Sequence, residues 1–406
     1  MYAFRHRYVA VECKRAHTRP GKIILCFHPN SIKLEYPDEV RIPRNGEGHN
    51  LNAPPIHHQR RARMVDENTG FTPSFWNSVI TRYHTPRTRS GLWQITNSFL
   101  PFFTVWYLMV LSLDVSYVLT LALSVVAAGL MARIFIIQHD CGHGSFLASQ
   151  KANDAIGMFC SILTLTPYHY WRKSHAIHHA GAGKLEKRGI GDIYTMTVDE
   201  FMKLPRWGKF SYRLYRNPFV LFLLVPTFLF AVLYRFPVSR MNALRRVEIS
   251  VYLTNIAIAA AAVGLITFFG WKTFLAVQVP ITVMTSTLGM WLFYVQHQFE
   301  DTYWTTGDEW DFSQAALKGS SFYRLPKVLQ WFTGNIGFHH VHHLSPKIPN
   351  YMLEKCHKEV PVLKSATVLT LKSSFRSLPL TLWDEKRRKL ISFSQLKRRA
   401  RQPLAA

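Results

Sequence analysis

Acidic residues and paired cysteines are scarce in this sequence of 406 residues. Asp and Glu together number 24 against 49 Lys and Arg, which gives a formal net charge of +25. The cysteines form no CxxC pair and suggest no disulfide framework, so we expect reduced thiols that face a reducing compartment. The five are Cys13, Cys26, Cys141, Cys160 and Cys356.

The stretch 1–63 lacks both a sustained hydrophobic period and the apolar run of a signal peptide. It is polar, rich in Arg and interrupted by prolines. We interpret residues 1–63 as a disordered extension, or as upstream sequence translated from a misassigned start, with Met64 as the alternative first residue. The histidines in this stretch are not expected to take part in catalysis.

The basic excess fits two classes of protein. One class binds nucleic acid, and the other spans a membrane and carries its lysines and arginines in cytoplasmic loops. Hydrophobic residues make up 48% of the chain and aromatic residues 14%, and they are concentrated in long runs. These runs favour the membrane protein and argue against a nucleic-acid partner.

Four apolar runs are close to the roughly 20 residues that a helix needs to cross about 30 Å of hydrocarbon. They pair into two hairpins, the first turned by Asp114 and Val115 and the second by the sequence Gly270-Trp271-Lys272. We therefore predict an all-α integral membrane protein with four transmembrane helices in two hairpins and a cytoplasmic helical cap. The four predicted spans are Ile95–Leu113, Ser116–Ile137, Ile249–Phe269 and Phe274–Val295.

Two weaker apolar runs complete the topology. The run 155–165 is too short to span, and the run 219–236 is borderline and contains Pro226. Lys and Arg flank the predicted spans on one side, which places that side, with both termini, in the cytoplasm. The run 219–236 then lies along the interface or dips in and returns, and a model with six spans is the alternative.

The two ends of the chain differ from this central part. Residues 381–406 contain the basic sequences KRRK and KRRAR, which predict a solvated tail beside anionic lipid. The main domain is therefore expected to run from residue 64 to residue 380.

Histidines form three clusters just outside the predicted spans. QHDCGH places two at i and i+4, and the sequences WRKSHAIHHA and GFHHVHHL each place three at i, i+3 and i+4. These spacings bring side chains together on one face of a helix, and two HxxHH patterns are improbable by chance in one chain. We therefore predict metal ligation by eight histidines: His139, His143, His175, His178, His179, His339, His342 and His343.

Other polar residues near the clusters are candidates for supporting roles. His297 follows the last span at the level of the clusters and is predicted as a ninth ligand, whereas His340 is rotated by about 100° from its neighbours on a helix and is not. A shell of neutral imidazoles needs carboxylates that orient it, and Asn335 is expected to orient a ligand or to cap the helix. The carboxylate candidates are Asp140, Asp192, Glu300 and Asp301.

Imidazole suits iron, zinc, copper and nickel. Eight ligands are too many for one ion and about right for two, so the spacing predicts a histidine-ligated site for two metals. The sequence lacks the pair of Glu-x-x-His motifs that soluble di-iron bundles use.

The histidine clusters and their surroundings resemble the membrane fatty-acid desaturase family. The similarity runs from Trp93 to His357, and the matching segments HDCGHGSF, TPYHYWRKSHAIHHA, GIGDIYTMT, QHQFEDTYW and GNIGFHHVHHLS are similar to the bacterial acyl-lipid, Δ12/ω6-type branch. The resemblance implies an oxygen-dependent enzyme of the bacterial inner membrane that leaves a cis double bond in an acyl chain. No HPGG haem signature is present, so a fused cytochrome b5 domain is not expected.

The resemblance also implies the components of the site. These are two iron ions (Fe2+/Fe3+), dioxygen as co-substrate, a fatty acyl lipid, and an external electron donor such as ferredoxin or cytochrome b5. The family's ligands fall on the eight clustered histidines and its additional histidine on His297, with no separate catalytic residue. Phe135, Leu163, Trp291 and Phe338 flank the clusters and are candidates for lining an acyl channel.

Two other functions compete with this interpretation. A hydroxylase, ketolase or alkane monooxygenase shares the spacing of the histidine clusters, although the surrounding sequence favours a desaturase. A metal transporter would place ionisable residues near the middle of its spans. Here the clusters lie just outside the predicted spans, which argues against transport.

Overall fold

The structure is a computed structural model that describes residues 65–66, 70–71, 73–189, 191–237 and 245–399. The predictions for residues 1–63, for the alternative start at Met64 and for the first two cysteines lie outside these ranges. The remaining cysteines, Cys141, Cys160 and Cys356, are buried free thiols.

Helices dominate the described residues, and short strands connect them. The helices are α1 (Pro73–Ile80), α2 (Thr88–Ser112), α3 (Tyr117–His143), α4 (Gln150–Thr164), α5 (Tyr168–Gly181), α6 (Val198–Lys203), α7 (Arg206–Tyr215), α8 (Val225–Ala231), α9 (Arg245–Phe269), α10 (Trp271–His297), α11 (Phe312–Lys318), α12 (Lys327–Phe332), α13 (His339–Leu344), α14 (Asn350–Glu359), α15 (Leu371–Ser374) and α16 (Phe393–Arg399). The strands are β1 (Val65–Asp66), β2 (Gly70–Phe71), β3 (Met196–Thr197), β4 (Phe322–Arg324), β5 (Val368–Thr370), β6 (Leu380–Asp384) and β7 (Lys389–Ser392).

Four of these helices, α2, α3, α9 and α10, are long and apolar enough to cross a membrane. They form the two predicted hairpins, so the fold class is confirmed. Ser116 begins α3 by accepting a hydrogen bond from the backbone N–H of Val118, and Gly270, at φ 82°, makes the second turn alone. Trp271 and Lys272, which were predicted in that turn, already belong to α10.

The helix α3 continues beyond the predicted span and carries the first histidine cluster on its last turns. It ends where Gly144 adopts a left-handed conformation, at φ 68°, which glycine reaches without steric cost. Because no residue interrupts the helix before Gly144, His139 and His143 remain on one helical face.

The segment between α5 and α9 does not form a simple span. It consists of α7 and a second apolar helix over Val220–Arg235, bent relative to each other by 62°. A π-helical turn precedes Pro226 at the start of α8, where proline removes a backbone donor. The described residues therefore offer four spans, or five if the bent pair counts as one, and the six-span alternative is not supported.

The position of the hairpin α9–α10 indicates that the bent segment returns to the side on which it started. The two helices run antiparallel from the turn at Gly270, so Arg245 lies at the same end as His297. His297 meets His178 of α5, with 3.2 Å between their Nε2 atoms. An even number of crossings must therefore separate His178 from His297, and α9 with α10 already supplies two.

Short strands connect residues 380–392 to the helical cap. β6 pairs in parallel with β3 and antiparallel with β7, while β4 pairs in parallel with β5. All of β6 is buried, and Trp383 and Leu390 have at most 1% of their surface exposed. Residues 380–384 and 389–392 therefore pack into this sheet through apolar residues that stand beside the basic ones, whereas Lys397 and Arg398 of α16 are exposed.

Candidate metal centre

All nine histidines that the sequence singled out gather at the membrane-proximal end of the cap. They form two groups, and within each group the ligand nitrogens lie within 4.8 Å of one another. The five-histidine group contains His139, His143, His175, His179 and His342, and the four-histidine group contains His178, His297, His339 and His343.

The two HxxHH sequences divide their histidines between the groups in a reciprocal way. In α5, His175 and His179 enter the five-histidine group and His178 enters the other. In α13, His339 and His343 enter the four-histidine group and His342 enters the five-histidine group. Residues at i and i+4 differ by about 40° around a helix and those at i+3 and i+4 by about 100°. One short helix can therefore serve two adjacent sites.

The nitrogen–nitrogen distances are those of ligands around a metal ion. Neighbouring Nε2 atoms lie 3.1 Å apart for His139 and His175, 2.9 Å for His179 and His342, and 2.9 Å for His297 and His339. Two ligands at right angles, each roughly 2.0–2.1 Å from an ion, lie about 3.0 Å apart. Both groups therefore match the spacing of a coordination shell.

Hydrogen bonds on the opposite ring nitrogens indicate that these Nε2 atoms need a cation. His139 donates from Nδ1 to the Asp140 carboxylate at 2.9 Å, and His297 donates from Nδ1 to the carbonyl of Gly319 at 3.1 Å. The Nε2 atom of each then carries a lone pair that points at other nitrogens. Nε2 of His143 is also buried without a hydrogen-bond partner among the described residues. A metal ion in each group would satisfy these atoms.

Burial keeps the clustered imidazoles outside the spans in their neutral form. It lowers the pKa of His175, His178 and His179 well below the ordinary value of 6.5, and neighbouring imidazoles lower it further. The pKa values of His339 and His342 are lowered for the same reasons. Neutral imidazole is the form that binds metal ions.

Asp140 is the predicted carboxylate that contacts a clustered histidine. One of its oxygens holds His139, and the other accepts hydrogen bonds from the backbone N–H and the side-chain amide of Asn350, at 2.6 and 2.8 Å. Asn335, at φ 59°, donates to the backbone carbonyl of Asn350 at 3.1 Å. Asn335 thus supports the residue that fixes Asp140 and does not itself reach a histidine.

The other three predicted carboxylates make no contact with a clustered histidine among the described residues. Glu300 pairs with Lys389 at 2.8 Å, Asp301 is exposed, and Asp192 accepts a hydrogen bond from the backbone N–H of Ile193 at 2.7 Å. The structure therefore gives no histidine-orienting contact to these three.

His340 lies outside both groups although it is fully buried. Its Nε2 atom lies 3.0 Å from Nδ1 of His357, and it belongs to neither set of clustered nitrogens. Sequence reasoning did not anticipate His357, Asn350 or the carbonyl of Gly319 as partners in this region. No local pattern marks them, because each reaches its partner through tertiary packing.

Packing of α3 against α12 sets the position of the third cluster relative to the first. The ring of Phe332 lies against Gly129, and Arg133 donates to the carbonyl of Trp331 while its guanidinium lies 4.2 Å from that indole ring. These contacts tie two successive turns of α3, just before His139, to the segment that leads into α13.

A long cavity of about 600 Å³ opens between α3, α5, α8 and α10 and reaches both histidine groups. His139 and His175 line it from the five-histidine group, and His339 lines it from the other. The predicted channel residues Phe135 and Leu163 also lie in its wall. Phe338 instead stacks on Phe322, with ring centroids 4.6 Å apart.

Comparison with known proteins gives a consistent result. The family model described as "Fatty acid desaturase" matches residues 115–366. The chain is 50% identical to the "Fatty acid desaturase" of Bacillus subtilis (strain 168) over 318 residues, which cover 78% of this chain and 90% of the relative.

More distant similarity extends to two proteins of Synechocystis sp. One is named "sn-1 acyl-lipid omega-3 desaturase (ferredoxin)", at 30% identity over 57% of this chain and 64% of the relative. The other is named "sn-1 oleoyl-lipid 12-desaturase", at 28% identity over 55% and 63%.

Proposed function

The chain belongs to the fatty acid desaturase family, and from that membership we propose that it introduces a cis double bond of the Δ12/ω6 type into an acyl chain of membrane lipid. The domain that does so is proposed to span residues 64–380. The main support for the proposal is the cavity that touches both histidine groups. An apolar ligand bound in this cavity would lie next to both candidate metal sites.

We propose that the nine clustered histidines hold two iron ions, five in one group and four in the other. Iron bound there would supply, with dioxygen, the oxidising power that an unactivated methylene demands, which zinc, having no redox chemistry, would not. In the overall reaction the acyl chain loses two hydrogens. An external donor supplies two electrons, two protons are taken up, and dioxygen becomes two waters.

The residues of the chain bind the acyl chain, orient the histidines and exclude water from the cavity. The apolar wall of the cavity, including Phe135 and Leu163, holds the acyl chain and excludes water from it. Asp140 and the carbonyl of Gly319 keep Nδ1 of His139 and of His297 protonated, so that each Nε2 atom faces its group. The indole of Trp171 stacks on His175 with ring centroids 4.5 Å apart, which fixes that imidazole in the wall.

The proposed location is the bacterial inner membrane, with the histidine groups and both termini on the cytoplasmic side. This orientation follows from the Lys and Arg residues that flank the spans at the histidine end. A soluble one-electron carrier, ferredoxin or cytochrome b5, is the proposed donor. The word "ferredoxin" in the name of the omega-3 desaturase of Synechocystis supports the first of the two.

Expression of residues 64–406 in a host that lacks polyunsaturated lipids tests the function. Gas chromatography with mass spectrometry should detect acyl chains that have lost two hydrogens, and derivatisation should locate the new bond at the Δ12 position. A product that has gained oxygen would indicate a hydroxylase instead, and a bond at the ω3 position would overturn the regiospecificity. Mössbauer spectroscopy of the purified protein should find about two irons per chain, and zinc alone at full activity would refute the metal assignment.

A further inference from the structure

One face of α10 lines the cavity over most of the length of the helix. The residues on this face recur every three or four positions, the spacing of a single helical stripe; they include Gln278, Thr282, Thr285, Gly289, Phe293 and Gln296. At about 1.5 Å per residue, the stripe runs about 27 Å from Gln296 to Gln278. The cavity is therefore a channel that continues far beyond the histidines.

The two ends of this channel differ in polarity. Beside the histidines it is bordered by Ser174, by Asp192 and by the exposed Gly191. In the membrane its wall facing α10 is apolar and includes Leu229 and Phe230. An ester or headgroup suits the polar end, where the hydroxyl of Ser174 can donate a hydrogen bond, and the methyl end of an acyl chain suits the apolar arm.

Hydrogen bonds close the floor of the apolar arm. The side-chain amide of Gln278 donates to the hydroxyl of Thr282 at 3.3 Å, and its carbonyl accepts from the indole N–H of Trp106 at 3.4 Å. These two hydrogen bonds pair the side-chain amide of Gln278 within the protein, whereas the buried hydroxyl of Thr285 on the same stripe has no hydrogen-bond partner among the described residues.

Gly289 lies between the histidines and this floor, about 12 Å along α10 from His297. It lines the channel, and a Cβ added at this position would meet no atom within 4 Å. A larger residue would therefore project into the channel without a clash with the protein. The absence of a side chain at residue 289 keeps the lower half of the arm open.

We infer that Gly289 is a specificity-determining residue, which sets how much of the acyl chain on the methyl side of the new double bond the enzyme accepts. The inference rests on the proposed function. It adds that the methyl end lies in the part of the arm between Phe293 and Gly289, and that the ester end remains near Ser174. A bulky residue at position 289 should shorten the methyl-side segment that fits and leave the histidine groups intact.

The experiment compares Gly289→Ala, Gly289→Phe and wild-type protein in cells fed oleic, palmitoleic or myristoleic acid. Gly264→Phe is the matched control, because Gly264 is a glycine of the spanning helix α9 whose added Cβ also meets nothing within 4 Å but which does not line the channel. Gly289→Phe should lower conversion of oleoyl relative to myristoleoyl chains by at least about tenfold. Gly289→Ala and Gly264→Phe should keep the wild-type profile.

A binding measurement separates this inference from the proposed function. Acyl lipid that copurifies with the full-length wild-type and variant proteins is extracted, and its chain-length distribution is measured. It should shift to shorter chains in Gly289→Phe only. An unchanged distribution together with an unchanged product profile would overturn the inference, as would an equal loss of all chains. A bond displaced toward the ester end would show that the arm holds the other end of the substrate. Inactive wild-type protein would instead refute the desaturase function, whatever the lipid shift.

Discussion

Two spanning helices of nearly equal hydropathy have very different surroundings. The apolar stretch of α3 has a mean hydropathy of 2.2 and that of α9 one of 2.0, yet 61% of the first is buried inside the protein and 11% of the second. Hydropathy measures transfer from water to hydrocarbon, and for that transfer lipid and protein are alike. Hydropathy therefore identified both helices as spans. It could not show that α3 is central and α9 peripheral.

Even the local sequences of the two helices are similar. The run VVAAGLM in α3 and the run AAAAVGL in α9 each contain a glycine within two residues of an alanine. Gly129 of α3 lies under the ring of Phe332, whereas Gly264 of α9 faces nothing within 4 Å. Small residues allow helices to pack closely. A close contact forms only where another side chain lies against them, as Phe332 does at Gly129.

The largest effect is expected at the C-terminal end of α3, which carries His139. His139→Ala should abolish product and lower the iron content from about two toward one per chain, because the five-histidine group loses a nitrogen that lies 3.1 Å from His175. His340→Gln, at an equally buried histidine outside both groups, should retain iron and much of the activity. Iron analysis and lipid profiling of the two variants measure the difference. Full activity of His139→Ala would contradict the assignment.

A smaller loss is expected when His139 stays and its orientation is disturbed. Asp140→Asn replaces the carboxylate that accepts the Nδ1 proton of His139 by a neutral amide. Removal of such a partner typically lowers metal affinity or activity by about 10–100-fold. Titration of the iron-free protein with Fe2+ should reveal the weaker site. The wild-type affinity in Asp140→Asn would show that Asn350 and packing alone orient the imidazole.

Substitution of the two glycines tests the comparison of the helices directly. Gly129→Ala places a Cβ 2.8 Å from the ring of Phe332, and overpacking of this kind costs about 1–3 kcal/mol. Gly264→Ala adds a methyl group in open space and should leave stability unchanged or slightly raised. Thermal unfolding in detergent measures both. Equal shifts in melting temperature would mean that α3 is no more constrained than α9.

The sequence sufficed for the parts of the fold that depend on local pattern. Run length predicted the four spans, and spacing at i, i+3 and i+4 predicted which histidines gather. Spacing did not predict that His178 and His179, adjacent in the chain, would face different groups. That division depends on which helices approach α5 from either side.

Other features depended on contacts between distant segments. The burial of β6 depends on its pairing with β3, almost two hundred residues earlier in the chain. The many basic residues around Leu390 suggested a solvent-exposed segment instead. Asn350 holds Asp140, and no local pattern marks an asparagine for that role. For the same reason His340 and His357 could not be paired from sequence, although the rotation of His340 away from its neighbours was predicted.

The smallest effect is expected at a carboxylate outside the spans that carries no metal-orienting contact. Burial raises the pKa of Asp192 from 3.8 to about 6, and the hydrogen bond from Ile193 and the charges of Arg216 and Arg188 only partly oppose it. Because the pKa of Asp192 is higher in the folded state than in the unfolded state, its ionisation does not lower the stability of the protein below pH 4. It destabilises the protein increasingly as the pH rises to 6, and by a constant amount above that.

Asp192→Asn removes this ionisation and keeps an oxygen to accept the hydrogen bond from Ile193. The variant should match wild-type stability near pH 4 and exceed it by about 1 kcal/mol near pH 8, a value reduced from the full pKa shift because the side chain is only partly buried. Melting temperatures across this range give the difference at each pH. A gain that is independent of pH would mean that packing or desolvation of the amide, and not ionisation of Asp192, accounts for the change.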